Sequence, residues 1–243
     1  MTVSPLRALV TGGSGEIGTA ICRRLAAAGH HVTIHAHQNR RIADALASEI
    51  NAAGYSAEGV SFDVTDAVSS RAQIEALLLQ GPIQIVVNNA GMHDDAVFPG
   101  MNASQWHRVM DVTVNGFFNV TQPLMMPMIR TRWGRVVNIS SVSSLIGNRG
   151  QVNYSAAKGA LNAATRSLAT EVASRGITVN AVAPGIIDTA QTRQLFDAEA
   201  IARLVPMKRA GRCEEVADLV GFLVSDQAAY ITGQILSING GII

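Results

Sequence analysis

The chain has 243 residues, of which 48% are hydrophobic and 15% are charged. This length and composition predict one large domain over residues 1–243, with a sizeable core and further apolar surface covered by subunit contacts in an oligomer. The formal net charge of +1 at pH 7 excludes the basic field of a nucleic-acid-binding protein and the acidity of a solvating tail.

Strand and helix patterns alternate along the chain. Short apolar runs predict strands over residues 6–11, 32–36, 60–62, 83–88, 135–140, 178–183 and 234–238. Helices are predicted over residues 17–28, 43–53, 68–80, 104–130 with Ser104 as the N-cap, 152–175 and 214–225. This alternation predicts an α/β fold in which a doubly wound parallel sheet is covered by helices on both faces.

In such sheets, ligands bind at the carboxyl ends of the strands. Five residues at strand ends are therefore expected along one edge: Thr11, Asp63, Asn88, Ser141 and Pro184. The stretch 186–213 is the only long segment without a helix or strand pattern, and we interpret it as an irregular lid over the substrate.

Neither the cysteines nor the N-terminus indicates a metal site, a disulfide or export. Cys22 and Cys213 lack the spacing of metal ligands and of a disulfide framework, which fits a reducing compartment. Residues 1–6 have no charged segment followed by an apolar one, and no apolar run reaches 18 residues. We therefore expect a cytoplasmic protein without membrane or export targeting.

A glycine-rich turn, Thr11-Gly-Gly-Ser-Gly-Glu-Ile-Gly18, connects the first strand to the first helix. Glycines allow the backbone to approach a phosphate closely, and the helix offers its positive N-terminus. The turn therefore predicts a dinucleotide or phosphate site, although a purely structural turn has the same signature.

The end of the second strand bears on which dinucleotide binds. NAD-binding folds place a carboxylate there, which bonds the ribose 2′-hydroxyl and would repel a 2′-phosphate. The segment 34–41 has no carboxylate, while His37, Arg40 and Arg41 can donate hydrogen bonds or charge to a phosphate. These residues predict NADP(H), unless the two arginines merely solvate the start of a helix.

Tyr154 and Lys158 are four residues apart in a predicted helix, so their side chains share one face. A free phenol has a pKa of about 10, and a nearby ammonium favours phenolate, which would make Tyr154 a usable proton donor near neutral pH. An ordinary pair on a helix surface has the same spacing. The other motifs of the chain favour a catalytic role for the pair over this structural alternative.

These motifs together resemble the short-chain dehydrogenase/reductase family over nearly the whole chain. The matching residues are Thr11-Gly12 with Gly18, Asp63-Val64, Asn88-Asn89-Ala90-Gly91, Ser141, Tyr154 with Lys158, Asn180 and Pro184-Gly185. Segments 148–158 and 231–241 are similar to those of 3-oxoacyl-[acyl-carrier-protein] reductases. Residues 206–209 and the Asn148-Arg149 loop are further similar to ketoreductases of aryl-polyene pigment pathways.

The resemblance implies a Rossmann-like sheet and hydride transfer from NADP(H) to a β-keto group held as a thioester. It implies that Tyr154 is the general acid, that Ser141 hydrogen-bonds the carbonyl oxygen, and that Lys158 binds the nicotinamide ribose and favours phenolate. The implied cofactor-binding residues are Gly12, Ser14, Gly15, Ile17, Gly18, His37, Asp63, Val64, Asn89, Ala90, Gly91, Tyr154, Lys158, Pro184, Gly185, Ile187 and Thr189. Two of these have plain structural alternatives, Asp63 as a turn residue after a strand and Thr189 as a helix cap.

The resemblance also implies a homotetramer and a substrate carried on an acyl carrier protein. Arg132 and Arg175 match positions that face the carrier in fatty-acid reductases, and Arg149 is expected near the mouth of the active site. Arginine pairs with the carboxylates and phosphate of such a partner. Solvated basic residues beside helix ends are an equal alternative.

Two positions depart from the family pattern. Glu16 replaces a family glycine, and its carboxylate would compete with a phosphate for the helix dipole, which predicts weaker NADP(H) binding unless the side chain turns to solvent. Thr113 stands where the family has a catalytic Asn that helps hold a water leading to the lysine. Asn115 lies about 200° away around a regular helix, so only a local bulge would bring it to that place.

The leading interpretation is an NADPH-dependent 3-oxoacyl reductase. Glu16 and Thr113 motivate an alternative, a degenerate homologue that binds a partner subunit or carrier with little turnover. A third interpretation is a reductase of the same fold that acts on a sugar, a steroid or another alcohol. A serine hydrolase is disfavoured because residues 12–16 end in Glu, where a nucleophile elbow has Gly.

Overall fold

Seven strands form one parallel sheet in the computed structural model, which describes residues 5–243. Across the sheet they lie in the order β3-β2-β1-β4-β5-β6-β7. Their bounds are β1 Arg7–Val10, β2 His31–Ala36, β3 Ser56–Ser61, β4 Ile85–Asn88, β5 Gly134–Ile139, β6 Ile177–Pro184 and β7 Ile235–Ile238. The strand order reverses between β1 and β4, and a doubly wound sheet opens a crevice for a ligand at such a point. The predicted fold class is confirmed.

Helices connect the strands and cover both faces of the sheet. Their bounds are α1 Glu16–Ala27, α2 Arg40–Ala52, α3 Ala67–Leu78, α4 Ala103–Met110, α5 Gly116–Thr131, α6 Ser143–Ile146, α7 Val152–Val172, α8 Ala190–Leu195, α9 Ala198–Leu204 and α10 Cys213–Val224. A π-helical segment spans Asp111–Asn115, and short 3₁₀ helices span Phe98–Gly100, Ala173–Arg175 and Asp226–Ala228.

Each central strand contributes side chains to two separate cores. Val10 and Val87 pack with α1, α2 and α10 on one face, whereas Leu9 and Val86 pack with α3, α5 and α7 on the other. Successive side chains of a strand point to opposite faces, so burial on both faces requires continuous apolar runs. This explains why the apolar runs in the sequence locate the central strands.

The edge strand β3 starts at Ser56, whereas the apolar pattern placed its start at residue 60. Ser56 already pairs with His31 of β2. The side-chain amide of Asn51 also makes two hydrogen bonds with the backbone of Ala57, at 2.9 and 2.8 Å. Backbone pairing fixes the start of this strand, and apolar side chains do not mark it.

The predicted helix over residues 104–130 consists of α4 and α5, with the π-helical segment between them. Asn102 caps α4, and the prediction that Ser104 does so is wrong. The Asn102 side chain accepts a hydrogen bond from the Gln105 N–H at 2.9 Å, and the Gln105 side chain accepts one from the Asn102 N–H at 3.0 Å. This reciprocal capping box satisfies two N–H groups at once, so it starts the helix before Ser104.

The segment 186–213, which we call the lid after its predicted role, contains α8 and α9, so the prediction that it is irregular is wrong. The side chains of Thr189 and Asp197 cap these helices by accepting hydrogen bonds from first-turn N–H groups. Near the base of the lid, the Gly211 N–H donates to the Ile186 carbonyl at 2.9 Å. The helices are each too short to show a period in the sequence, but local caps define them.

Within residues 5–243, no helix is long and apolar enough to cross a membrane, and no group of three or more His, Cys, Asp or Glu side chains is placed to hold a metal ion. Cys22, buried in α1, and Cys213, at the start of α10, are both free thiols. Burial raises the pKa of the Cys213 thiol to about 11. Residues 1–4, considered above for targeting, lie outside the described residues.

Candidate active site

A cavity of about 1260 Å³ lies along the carboxyl edge of the sheet, lined by the loops after β1, β4, β5 and β6 and by the lid. Small-molecule sites commonly measure roughly 300–1,000 Å³, so this cavity has room for a dinucleotide and a second molecule. All residues to which the resemblance assigns catalysis or cofactor binding line it: Gly12, Ser14, Gly15, Ile17, Gly18, His37, Asp63, Val64, Asn89, Ala90, Gly91, Ser141, Tyr154, Lys158, Pro184, Gly185, Ile187 and Thr189. Their individual roles remain predictions.

The glycine turn after β1 is packed too tightly for side chains at two positions. Gly12 has a φ of +60°, and a Cβ on Gly18 would lie 2.2 Å from the Gly12 carbonyl oxygen. The Asn89 side-chain amide braces the turn by donating to the carbonyls of Thr11 and Gly12, at 3.0 and 2.9 Å. Glycine is therefore required here by the backbone geometry.

The first turn of α1 leaves backbone N–H groups without a protein acceptor. Gly15 is the N-cap and provides no side-chain cap. Among residues 5–243, no group accepts a hydrogen bond from the N–H of Ile17 or Gly18. Open N–H groups at the positive end of a helix bind anions, so the turn fits the pyrophosphate of a dinucleotide.

A buried histidine supports the same turn, and sequence reasoning missed it. His35 of β2 is 1% exposed, and its Nδ1 accepts a hydrogen bond from the Gly12 N–H at 3.1 Å. Its Nε2 therefore carries the proton and donates to the Phe62 carbonyl at 2.8 Å. Burial lowers the pKa of His35 to about 4, so the ring stays neutral. The available signal was a polar residue inside an otherwise apolar strand.

At the end of β2, only one of the three residues proposed to meet a 2′-phosphate lines the cavity. That residue is His37, and its Nε2 lies 3.4 Å from Oδ2 of Asp63. Arg40 instead pairs with Asp44 one turn later in α2, at 3.4 Å. Arg40 and Arg41 are exposed residues of the first turn of α2, so the argument for a phosphate rests on His37.

Asp63 and Thr189 have the structural roles named as alternatives and also line the cavity. Oδ1 of Asp63 accepts hydrogen bonds from the N–H and the hydroxyl of Thr65, both at 2.8 Å. Burial by itself would raise the pKa of Asp63, but these hydrogen bonds and the charge of His37 together lower it. Thr189 caps α8. Neither structural role prevents contact with a ligand.

Ser141, Tyr154 and Lys158 meet in the cavity from two elements. Ser141 lies just after β5, and the other two lie in the first turns of α7. The three residues are 9%, 8% and 3% exposed, respectively, so Tyr154 and Lys158 are not an ordinary surface pair. The Lys158 ammonium donates to the Ile139 carbonyl at 2.7 Å and lies 5.6 Å from the centre of the Tyr154 ring.

Burial dominates the protonation of this set. It raises the pKa of Tyr154 to about 12, with a smaller increase from the charge of Asp95, while the interaction with the Ser141 hydroxyl lowers it. Burial also lowers the pKa of Lys158 to about 8. Burial therefore outweighs the other influences on the Tyr154 pKa here, and the expectation that Lys158 brings this pKa down toward neutrality stays a prediction.

The π-helical segment contains both residues of the second departure. A bulge is present, but it does not turn Asn115 inward, because this side chain is exposed and its Nδ2 donates to Oδ1 of Asp111 at 2.7 Å. Thr113 is 3% exposed, and no hydrogen-bond partner of its hydroxyl lies among the described residues. Thr113 therefore keeps the inward position, as the alignment of the motif predicts.

Glu16 turns away from the glycine turn and toward the lid. One carboxylate oxygen accepts a hydrogen bond from the N–H of Ala190, the first residue of α8, at 2.8 Å. The other lies 3.2 Å from the guanidinium of Arg193, which also pairs with Asp188 at 2.8 Å. The carboxylate is thus bound to the lid, while the Glu16 side chain stays 47% exposed and still lines the cavity.

Three residues near Tyr154 were not identified from the sequence. His93 stacks on the Tyr154 ring, and Gln151 and Asp95 surround His93. All three line the cavity. The only sequence signal was the position of His93 just after the Asn-Asn-Ala-Gly motif, which by itself does not indicate a contact with α7.

A doubly wound sheet, an open helix N-terminus and a buried Ser, Tyr and Lys set in one cavity define a dinucleotide-dependent oxidoreductase. A family model described as enoyl-(acyl carrier protein) reductase matches residues 13–243. The chain belongs to the short-chain dehydrogenase/reductase family, whose members use a nicotinamide cofactor. The family resemblance seen in the motifs is confirmed.

Similar proteins match over almost their full lengths. The chain is 44% identical to the 3-oxoacyl-[acyl-carrier-protein] reductase FabG of Aggregatibacter actinomycetemcomitans over 239 residues, which are 96% of this chain and 98% of the relative. It is 42% identical to the protein of the same name in Escherichia coli strain K12 over 237 residues, 96% of each chain. Nodulation protein G of Azospirillum brasilense is 43% identical over 240 residues, 97% of each chain. The similarity therefore includes both the sheet and the lid.

Proposed function

We propose that this protein reduces the 3-oxo group of an acyl thioester, carried on an acyl carrier protein, to a 3-hydroxyl group with NADPH. The observation that carries the proposal is the buried set of Ser141, Tyr154 and Lys158 in one cavity with the open N-terminus of α1. The substrate class is supported by relatives named 3-oxoacyl-[acyl-carrier-protein] reductase at 40–44% identity.

The residues of the chain handle the carbonyl oxygen and its proton. When bound, NADPH supplies a hydride to the carbonyl carbon. As the oxygen gains negative charge, the Ser141 hydroxyl stabilises it by a hydrogen bond and the Tyr154 hydroxyl transfers its proton. The Lys158 ammonium then stabilises the phenolate that remains. The raised pKa of Tyr154, about 12, keeps the phenol protonated at neutral pH, which is the form that a general acid needs.

The preference for NADPH rests on the end of β2. His37 lines the cavity there, and residues 34–41 contribute no carboxylate. The carboxylate of Asp63 also lines this part of the cavity and could repel a 2′-phosphate. However, it already contacts Thr65 and His37. Binding constants for NADPH and NADH to the wild type and to His37→Asp test this preference. We expect the substitution to weaken NADPH binding far more than NADH binding, and equal affinities in the wild type would refute the preference.

An oligomer and an acyl carrier are part of the same proposal. Phe118 and Met126 of α5 are 62% and 54% exposed, and covering them favours association of subunits. Arg149 is exposed in the loop next to Asn148, which lines the cavity, so it can meet an acidic carrier at the mouth. The similarity to aryl-polyene ketoreductases stays a prediction.

Oxidation of NADPH in the presence of an acetoacetyl thioester tests the reaction. We expect turnover in the wild type and a loss of at least about 100-fold in Tyr154→Phe, since general acid catalysis contributes that much. Tyr230→Phe is the matched control, because Tyr230 is fully exposed and does not line the cavity. A crotonyl thioester checks for the enoyl reduction named by the family model.

Each alternative has its own result in this assay. No turnover on any β-keto thioester, with intact cofactor binding, would support a degenerate homologue that binds a partner. Turnover on free ketones or alcohols but not on thioesters would support a reductase of another substrate class. Turnover that survives in Tyr154→Phe would refute the assigned mechanism.

A further inference from the structure

His93 follows the loop after β4 and lies directly against the proposed proton donor. Its ring stacks on the Tyr154 ring with centroids 4.0 Å apart and planes inclined by 26°. His93 also lines the cavity. Its side chain is 32% exposed, so one part of the ring is packed while another part is accessible from the cavity.

The hydrogen bonds of Gln151 fix which nitrogen of His93 carries the proton. The Gln151 side-chain oxygen accepts from the hydroxyl of Ser143 at 3.2 Å and from the amide of Asn148 at 2.9 Å. Its Nε2 must therefore face acceptors, which are a carboxylate oxygen of Asp95 at 2.8 Å and Nδ1 of His93 at 3.4 Å. A nitrogen that accepts carries no hydrogen, so the proton of the neutral ring is on Nε2.

The surroundings also keep the ring neutral. Burial lowers the pKa of His93, the charge of Lys158 lowers it further, and the carboxylate of Asp95 opposes both effects. Asp94, the neighbouring acid, is bonded to Gln105 and Arg108. A second proton on Nδ1 would face the amide N–H of Gln151 at 3.4 Å, and the carboxylate of Asp95 lies farther from Nδ1, at 3.8 Å.

We propose that His93 is a substrate-recognition residue whose Nε2–H donates a hydrogen bond to the thioester carbonyl of the 3-oxoacyl substrate. The inference rests on the proposed function, since a 3-oxoacyl thioester has a second carbonyl one methylene away from the carbonyl that is reduced. Ser141 and Tyr154 bind the reacting oxygen, and the stacked ring places His93 beside them. Within residues 5–243, the hydrogen bonds of the His93 ring are made through Nδ1, so Nε2–H is available to a ligand.

The test compares two substrates, an acetoacetyl thioester and a simple ketone that lacks the second carbonyl. His93→Phe keeps a flat ring against Tyr154 but removes the donor, and His93→Gln restores an amide donor without the ring. His107→Phe is the matched control, because His107 is exposed on α4 and lies outside the cavity lining. Dissociation constants for NADPH are measured alongside, to separate substrate recognition from cofactor binding.

We expect His93→Phe to lose roughly 10-fold in kcat/KM on the thioester, the effect of one neutral hydrogen bond, and less than about 2-fold on the simple ketone. His93→Gln should recover part of the thioester activity. An equal loss on both substrates would overturn the proposal, because it would show that the ring only supports Tyr154. No loss on either substrate would overturn it as well. If the wild type reduces neither substrate, the proposed function itself is refuted. This result differs from the outcomes above, in which the wild type is active and only the effect of the His93 substitutions is in question.

Discussion

Lys158 illustrates how a single buried charge sets the chemistry of the cavity. Its ammonium is held by the Ile139 carbonyl, and burial lowers its pKa to about 8. Tyr154 shifts the other way, to about 12. Between these two values the phenol is protonated while the ammonium is progressively lost. In the proposed mechanism there is therefore a pH range in which the acid Tyr154 is protonated but Lys158, which would stabilise the resulting phenolate, has lost its charge.

We expect kcat/KM for reduction to fall as the pH rises through about 8, by roughly tenfold per unit above that value. The activity falls with rising pH because the charged form of Lys158 is the active one in the proposed mechanism. Burial lowers the pKa of Lys158 to about 8, so this charge is lost above that pH. Measurements from pH 6 to 10 with an acetoacetyl thioester test this, and Lys158→Met should be slow and lack the decline. A wild-type profile that stays level up to pH 10 would contradict the assignment.

Thr113 has a buried hydroxyl with no partner among the described residues. Such a group costs about 1–3 kcal/mol of desolvation, so Thr113→Val should raise the free energy of unfolding by about 1 kcal/mol and leave turnover unchanged. Thr165→Val is the control, because its buried hydroxyl bonds Asn138 and the Leu161 carbonyl, both at 2.8 Å, and should destabilise the protein. Urea unfolding and turnover measure both effects. A drop in turnover of Thr113→Val would show that this hydroxyl holds a water in a proton path.

At the scale of elements, Glu16 joins the glycine turn at the start of α1 to the lid helix α8. Two hydrogen bonds span 174 and 177 positions of sequence. Both partners are exposed, so each contact by itself contributes little to stability. We expect these contacts to hold the lid in place, because its helices α8 and α9 are short, with 6 and 7 residues. These contacts offer a reason why Glu16, and not glycine, occupies this position of the turn: its carboxylate binds the lid.

Removing this carboxylate should loosen the lid. In Glu16→Gly we expect faster hydrogen exchange at the Ala190 amide and over residues 188–204, and faster release of NADPH, by several-fold. Glu199→Gln, which removes an acidic residue from the lid itself, is the control. Unchanged exchange together with tighter NADPH binding in Glu16→Gly would instead show that Glu16 competes with the pyrophosphate for the helix N-terminus.

At the scale of the whole molecule, the positions of Arg132 and Arg175 bear on how a carrier could dock. These two arginines lie at the amino edge of the sheet, whereas the cavity of the same subunit lies at the carboxyl edge. Arg132 precedes β5 and Arg175 precedes β6, whereas the cavity lies at the carboxyl ends of these strands. A strand of six residues is about 20 Å long. A carrier bound at these arginines is therefore expected to deliver its substrate to another copy of the chain.

This arrangement predicts complementation between a variant that docks the carrier poorly and a variant that lacks the proton donor. Arg132→Glu with Arg175→Glu should raise KM for a carrier-linked substrate by about tenfold and leave a small thioester unaffected. Mixed oligomers of this variant with Tyr154→Phe should be more active on the carrier-linked substrate than the sum of the separate proteins. Arg71→Glu is the charge-reversal control, because Arg71 is exposed on α3. Absence of recovery would place docking on the same subunit, for example at Arg149.

Local features of the chain were sufficient to predict most of the architecture. Apolar runs located the central strands because both faces of a parallel sheet are buried. The sequence shows Gly12 and Gly18 directly because they belong to one short loop. It also shows the spacing of Tyr154 and Lys158, which lie about one helical turn apart in α7. Ser104 is not the cap of α4 because Asn102 and Gln105, which are equally local, form a reciprocal capping box two residues earlier.

The sequence by itself determined most of the sheet and the glycine turn, because both are marked by residues that are near in the chain, and the family resemblance singled out Ser141, Tyr154 and Lys158. Only the tertiary structure decided that Glu16 binds the lid, that His93 stacks on Tyr154 and that Arg40 turns away from the cavity. It also decided the pKa values of Tyr154 and Lys158. Burial and long-range contacts arise from packing distant segments together, and no spacing within one segment encodes how strongly water is excluded from a side chain.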